Sequence, residues 1–411
     1  MITPPRDTRD DSRTVRPAMA PTGVWLNGAR GSVATTATVG LLALQSGIVP
    51  STGCVTDHDP LADAPLPGWG DMVIGGHDIV DTPLAKRAEM LVDSGVIPQS
   101  VLSAVRGGLP AVESELRTGY SPQTHIGSLA DAARRLSHDI TEFRRRNGLE
   151  RVVVVNVSST EPPVTHDPSH DDLSALVEAM SDPDRRVLPP SSVLAYAACE
   201  AGCGFVDFTP STGCRLPALV HLARSCGVPF AGSDGKTGET LLRTVLAPMF
   251  TARALRVRSW AGTNLLGGGD GATLEDPEHA RSKLDSKSGV LPALLGEEVP
   301  APLHIDNVPD LGDHKIAWDH VSFEGFLGIR MSLQLTWSGV DSSLAAPLVL
   351  DLARLVAAAH ADGQSGAIEP LGFFFKDPVG TGGHALMDQV RALTAWTAAL
   401  GDEGKGDGRN T

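Results

Sequence analysis

Apolar and polar positions follow two rhythms along this chain. Short apolar bursts end in glycine or hydroxyl residues, and longer stretches place apolar residues at helical spacing. Val24-Trp25-Leu26 leads into Gly28 and Gly31, then into an Ala-, Thr- and Leu-rich stretch reaching Leu44. Asp71–Ile74 runs into Gly75-Gly76-His77-Asp78, and Val228–Ala231 runs into Gly232. Val152–Val155 is a continuous β-branched run that stops at Asn156, the pattern of a strand buried on both faces. Phe205–Phe208 stops at Thr209-Pro210-Ser211. Strands separated by helical stretches predict an α/β fold, a Rossmann-like doubly wound parallel sheet. Ligands of such sheets bind beyond the carboxyl ends of the strands, where these glycine and hydroxyl residues lie.

The rhythm changes near residue 250. Leu255–Trp260, Lys315–Trp318 and Ile329–Trp337 contain alternating apolar residues and aromatics, as antiparallel or mixed strands with one packed face do. From Ser342 to Ala361 a long apolar helical pattern returns. The expected organisation is a disordered leader over 1–20, a nucleotide-binding domain over 21–240 and an inserted α+β catalytic and oligomerisation domain over 241–340. A segment over 341–400 then returns to the first domain, and a disordered tail occupies 401–411.

A formal charge of −15 over 411 residues argues against nucleic acid or an anionic membrane as partner. Any phosphate site is then a local concentration of lysine. The 5 cysteines show neither paired zinc spacing nor the density of a disulfide scaffold, so free thiols in a reducing cytoplasm are expected. No apolar segment of signal-peptide type precedes Pro21, and no run of about 18 apolar residues is found. The expectation is a soluble, cytoplasmic protein.

Candidate chemistry concentrates at the strand ends. Gly232-Ser233-Asp234-Gly235-Lys236-Thr237-Gly238-Glu239-Thr240 sits between an apolar burst and a helical stretch. Backbone N–H groups, a lysine and two threonine hydroxyls there can hold an anion, although an ordinary strand-to-helix turn has the same pattern. Asn27-Gly28-Ala29-Arg30-Gly31-Ser32 is placed for a dinucleotide pyrophosphate. It lacks the full G-x-G-x-x-G, and the acidic candidates Asp57, Asp59 and Asp78 come late. Asn156–Glu161 and Thr209–Gly213 are hydroxyl-rich strand ends that serve either helix capping or a nucleotide cleft. Lys283 and Lys287 would share a helix face, either solvated or clasping an anion. Lys376 follows Phe373-Phe374-Phe375, where desolvation can lower an amine pKa, or the chain can snorkel to water. The His- and Asp-rich loop Thr165–Asp172 lacks regular ligand spacing, so a solvated loop and no metal are expected.

Taken together, Gly232–Leu246, Asn264–Gly271, Arg281–Ser288, Asp313–Phe326 and Asp341–Lys376 resemble the myo-inositol-1-phosphate synthases, also called inositol-3-phosphate synthases, and among them the shorter archaeal-type branch. The similarity runs through about residues 23–378. It implies an NAD-dependent but redox-neutral cyclisation of a hexose 6-phosphate: oxidation at C5, enolisation at C6, aldol closure onto C1, and reduction. By resemblance Lys283, Lys315 and Lys376 match catalytic lysines, and Asp234 and Asp341 match active-site aspartates. Lys236, Thr237, Gly238, Glu239, Thr240 and Lys287 match the substrate-phosphate site. Gly28, Ala29, Arg30, Gly31, Ser32, Asp78, Ser158, Thr160, Thr209, Ser211, Asp234, Asn264 and Asp270 fall in cofactor-holding segments. A homotetramer is implied as well. One departure concerns the glycine-rich loop, where Gly268 stands in place of the family's usual Asn or Asp. That leaves a specialised relative that cyclises fructose 6-phosphate to a five-membered ring as the alternative. A plain sugar-phosphate dehydrogenase and a silent nucleotide-binding regulator are the rivals from other classes.

Overall fold

The structure is a computed structural model, and its described residues are 20–267, 290–380 and 383–401. Apart from Ala20 and Gly401, the expected leader and tail lie outside them, as do Gly268, Asp270, Lys283 and Lys287.

Seven strands build one sheet: β1 (Thr22–Asn27), β2 (Met72–Asp78), β3 (Leu116–Thr118), β4 (Arg151–Asn156), β5 (Gly204–Asp207), β6 (Pro229–Gly232) and, far along the chain, β11 (Gly366–Ala367). Their spatial order is β3-β2-β1-β4-β5-β6-β11, and all neighbours are parallel. The order reverses between β1 and β4, which makes that boundary the switch point where ligands bind. Register puts His77, Asn27, Asn156, Asp207 and Gly232 in one row at the carboxyl ends. The strand ends read from the sequence are therefore spatial neighbours.

Both faces of the sheet are covered, which is why its strands read as unbroken apolar runs. Val24, Leu26, Val153 and Val155 share one core with the helices Ser32–Gln45 and Asp341–Ala361. Trp25, Val152 and Val154 point the other way, to Leu129–Arg146 and Pro190–Glu200. The helix Asp341–Ala361 is long and apolar enough to cross a membrane, yet most of it is buried in this core. A polar cluster fastens it to the first domain. The Arg354 guanidinium donates to Thr56 Oγ1 at 2.6 Å and Asp57 Oδ1 at 2.8 Å, and lies 4.0 Å over Trp69. Asp351 accepts from Val55 N at 2.7 Å and from the Thr56 hydroxyl.

The second sheet has the order β10-β9-β7-β8, from β7 (Arg256–Leu266), β8 (Leu303–Asn307), β9 (His314–Glu324) and β10 (Arg330–Val340). β7, β9 and β10 are antiparallel, whereas β8 is parallel to β7. These strands run well past the short spans read from the sequence, because polar residues such as Ser322 and Gln334 continue them on the open face. The β9–β10 pairing sets Lys315 opposite Gly339, so the chain leaves β10 into Asp341 beside that lysine. Most of the loop Thr165–Asp172 is solvated, as expected, but two of its residues turn inward. Asp167 caps a turn that buries Ser169 and His170, and the His170 ring meets the Val187 carbonyl at 2.7 Å.

Candidate active site

At the switch point the glycine turn is built by backbone bonds. Gly28 N and Ala29 N donate to the His77 carbonyl at 2.9 and 3.1 Å, and Gly31 N donates to Gly28 O at 2.9 Å. Gly28 has φ +83°, and a Cβ there would lie 2.9 Å from Ser158 Cα. Only glycine fits this approach of β1 to the end of β4. The helix that follows, Ser32–Gln45, has no side-chain cap and no acidic residue in its first turn. A narrow glycine cradle feeding an uncapped helix start fits a dinucleotide pyrophosphate. Asp78 shapes the same turn: its Oδ2 accepts from Arg30 N at 2.6 Å and its Oδ1 from Val80 N at 2.9 Å.

Next along the row, Asn156 joins three strand ends. Its Oδ1 accepts from Asn27 Nδ2 at 2.9 Å and Ser158 Oγ at 2.8 Å, and its Nδ2 donates to Asp207 Oδ1 at 3.2 Å and Thr209 Oγ1 at 3.3 Å. Thr209 Oγ1 donates to Asp207 Oδ1 at 2.6 Å, and Ser211 Oγ accepts from Glu161 N at 3.2 Å, with Thr160 buried beside them. The hydroxyls read from the sequence thus line one edge, and they also perform the turn chemistry that competed with the cleft reading. Burial pushes Asp207 up to about 7. Its Oδ2 is buried with no hydrogen-bond partner among the described residues. Sequence reasoning did not single out Asp207, although a lone acidic residue ending a buried strand was the available signal.

The turn 232–240 leaves β6 and is knitted to the strap around Lys376. Ser233 N donates to Asp377 O at 2.9 Å, Lys376 N to Asp234 O at 2.7 Å, and Lys236 N to Phe374 O at 2.8 Å. Across this seam Lys376 Nζ pairs with Asp234 Oδ1 at 2.6 Å, with both side chains buried. The aromatic run therefore delivers Lys376 inward, onto a carboxylate. A second pair forms from the other sheet, Lys315 Nζ to Asp341 Oδ2 at 3.1 Å, and Thr237 Oγ1 donates to Asp341 Oδ1 at 3.4 Å. Because Asp234 and Thr237 belong to one turn, that turn joins the two lysine–carboxylate pairs. The buried hydroxyls of Ser233, Thr240 and Ser342 have no hydrogen-bond partner among the described residues. Donors left in that condition are costly unless a ligand takes them.

Three other candidates are placed differently from a simple cradle. Lys236 Nζ donates to Gln389 Oε1 at 2.5 Å and lies 5.9 Å from the Phe373 ring centroid, and burial lowers its amine to about 7. Glu239 pairs with Arg243 at 2.5 Å and accepts from Asn264 Nδ2 at 2.7 Å. Arg243 also reaches Asp319 at 3.2 Å, whose Oδ1 accepts from Trp260 Nε1 at 2.7 Å. Glu239 and Asn264 thus lock the turn to the second sheet. Gln389 and Asp319 gave no sequence signal, since Lys236 and Arg243, their partners, lie 153 and 76 residues away; Arg243 stands four residues after Glu239, a helical spacing that sequence reasoning passed over.

A Rossmann-like sheet with a pyrophosphate-fitting turn, and two lysine–carboxylate pairs joined at its ligand edge, has the form of a dinucleotide-dependent enzyme. The family model described as myo-inositol-1-phosphate synthase, an NAD-binding family, matches residues 22–397. An inositol-3-phosphate synthase 1 of Bacteroides thetaiotaomicron is 33% identical over 393 residues, 89% of this chain and 91% of the relative. An inositol-3-phosphate synthase of Trypanosoma brucei brucei is 33% identical over 242 residues, covering 56% of this chain and 45% of that longer relative. The solved structure of inositol-3-phosphate synthase from Caenorhabditis elegans shares the fold, with a TM-score of 0.84 at 22% identity over 95% of this chain and 90% of that one. The chain belongs to the myo-inositol-1-phosphate synthase family of NAD-dependent intramolecular cyclases.

Proposed function

We propose that the protein converts glucose 6-phosphate to a myo-inositol phosphate without net consumption of NAD. The observation that carries this reading is the joining of two lysine–carboxylate pairs by one turn at the nucleotide edge. Bound NAD supplies a hydride acceptor and donor. Thr237, Gly238, Thr240 and Lys236, with Lys287, hold the phosphate, and Glu239 keeps their turn on the second sheet. The Lys376–Asp234 pair takes the proton from the C5 hydroxyl during oxidation, the ammonium passing one proton to the Asp234 carboxylate so that the freed amine accepts it, and the transfers reverse during reduction. Lys315, steadied by Asp341, and Lys283 stabilise the oxyanions that form during enolisation and aldol closure.

The assembly in this reading is a homotetramer in the cytoplasm, without nucleic acid or membrane as partner. β10 is an edge strand, and Trp318, Phe326, Leu327, Ile329 and Met331 are exposed on or beside the β9–β10 hairpin. An exposed apolar edge of this kind is normally covered by a partner.

The test is incubation of the full chain and NAD with glucose 6-phosphate and, separately, fructose 6-phosphate, followed by phosphorus and carbon NMR and absorbance at 340 nm. A six-membered cyclitol phosphate from glucose 6-phosphate without accumulating NADH is the expected outcome. A carbocycle from fructose 6-phosphate alone would transfer the assignment to the five-membered ring and to the loop carrying Gly268. Stoichiometric NADH with no ring would leave a dehydrogenase.

A further inference from the structure

Asp313 belongs to the second sheet's connection into β9, two residues before Lys315, yet its side chain reaches the first domain. Its Oδ1 accepts from Ser32 Oγ at 2.9 Å, and Ser32 is the first residue of the helix that opens from the glycine turn. Its Oδ2 accepts from Ser94 Oγ at 3.3 Å, and Arg87 Nη2 donates to the same Ser32 hydroxyl at 2.9 Å. The loop is also pinned from behind. Val308 N donates to Leu266 O at 2.6 Å, and a Cβ on Gly267 would overlap the Gly312 backbone. Leu311–Asp313 is thus held between the nucleotide turn and the end of β7, and directly continues into the strand that presents Lys315.

We propose that Asp313 is a positioning residue that couples occupancy of the cofactor turn to the placement of Lys315. A pyrophosphate at the start of helix Ser32–Gln45 brings negative charge to the hydroxyl that Asp313 holds and the guanidinium of Arg87. Any ordering or shift of Ser32 is passed through one hydrogen bond to a short connection with little slack, and from there to Lys315 and its partner Asp341. Asp313 touches neither substrate nor cofactor in this scheme. The inference rests on the cofactor half of the proposed function and not on the identity of the sugar.

The experiment is hydrogen exchange of the full chain with and without NAD, on wild type, Asp313→Ala, Asp313→Asn and Ser32→Ala, with NAD affinity measured by calorimetry. In wild type, NAD is expected to slow exchange across 313–318. Asp313→Ala and Ser32→Ala lose that slowing, while Asp313→Asn, which keeps an acceptor for Ser32, retains it. In turnover, Asp313→Ala lowers kcat by about tenfold or more with KM for the hexose phosphate little changed, and adding Ser32→Ala causes no further loss. Equal slowing in Asp313→Ala and wild type overturns the coupling, as do additive losses in the double variant. If Asp313→Ala does not fold, Ser32→Ala against Asp313→Asn decides in the same way. NAD that fails to bind overturns the coupling together with the cofactor reading. Retained slowing with no cyclised product overturns the reaction alone.

Discussion

Replacing Lys376 by Met tests the centre of the proposed chemistry. Methionine matches the unbranched four-atom stem of lysine but removes the ammonium that lies 2.6 Å from Asp234 Oδ1. The backbone bond from residue 376 N to Asp234 O, 2.7 Å long, does not depend on the side chain, so the seam between turn and strap remains. A positioned proton carrier contributes about 10²–10⁴ in rate, and one preorganised charge about 10²–10³. Turnover is therefore expected to fall about 10³-fold, which is about 4 kcal/mol of barrier. Stability falls too, because truncating one partner of a buried ion pair costs about 3–5 kcal/mol. A Lys376→Met, Asp234→Asn double variant removes both charges and recovers part of that loss while staying inactive. The assay is product formation by phosphorus NMR, with NAD affinity by calorimetry and melting curves on the same samples. NAD affinity near wild type with lost turnover supports the proton role. Turnover above a tenth of wild type would show that the pair is structural and would sink the reasoning.

Gly28→Ala places a methyl against Ser158 at φ +83°, and NAD affinity is expected to drop about tenfold or more while the fold persists, by calorimetry and circular dichroism. Arg243→Met leaves Glu239 and Asp319 buried together without their shared cation, so unfolding free energy should fall by about 3–5 kcal/mol in urea titration. Burial raises Asp351 from 3.8 to about 7. Between those values the native state binds more protons than the unfolded chain, so its contribution to stability is lost as pH rises through the window. Asp351→Asn should flatten the decline between about pH 4 and 7 by up to about 4 kcal/mol, and an unchanged slope would refute the assignment. Lys236 shows the opposite sign, since burial lowers it from 10.5 to about 7. Stability should rise with pH over that range in wild type and much less in Lys236→Met.

The parallel sheet was legible because its strands are buried on both faces and end abruptly. Val152–Val155 closing at Asn156, and Phe205–Phe208 closing at Thr209, carry strand type, length and functional edge in a few adjacent residues. The glycine turn at 27–32 and the turn at 232–240 were legible for the same local reason. The second sheet was legible only in fragments, because β9 and β10 keep one polar or exposed face over 11 residues each, and alternation alone does not mark their ends. The partners within the site were not legible at all. Asp234 and Lys376 are 142 residues apart, Lys236 and Gln389 are 153, and Ser32 and Asp313 are 281.

What the sequence alone determined is the local repertoire: which segments form strands and helices, where backbone N–H groups can meet an anion, and which lysines are available. A hydrophobic period and a glycine are properties of neighbouring residues, so they are written in order along the chain. Tertiary structure decided which lysine meets which carboxylate, that Glu239 and Asn264 brace the turn, and that Asp313 crosses between sheets. Those pairings follow from strand register and from the return of Asp341–Ala361 to the first core. The register sets residues 26 apart across a hairpin, and the helix return buries apolar surface against strands far earlier in the chain, and no local pattern encodes either.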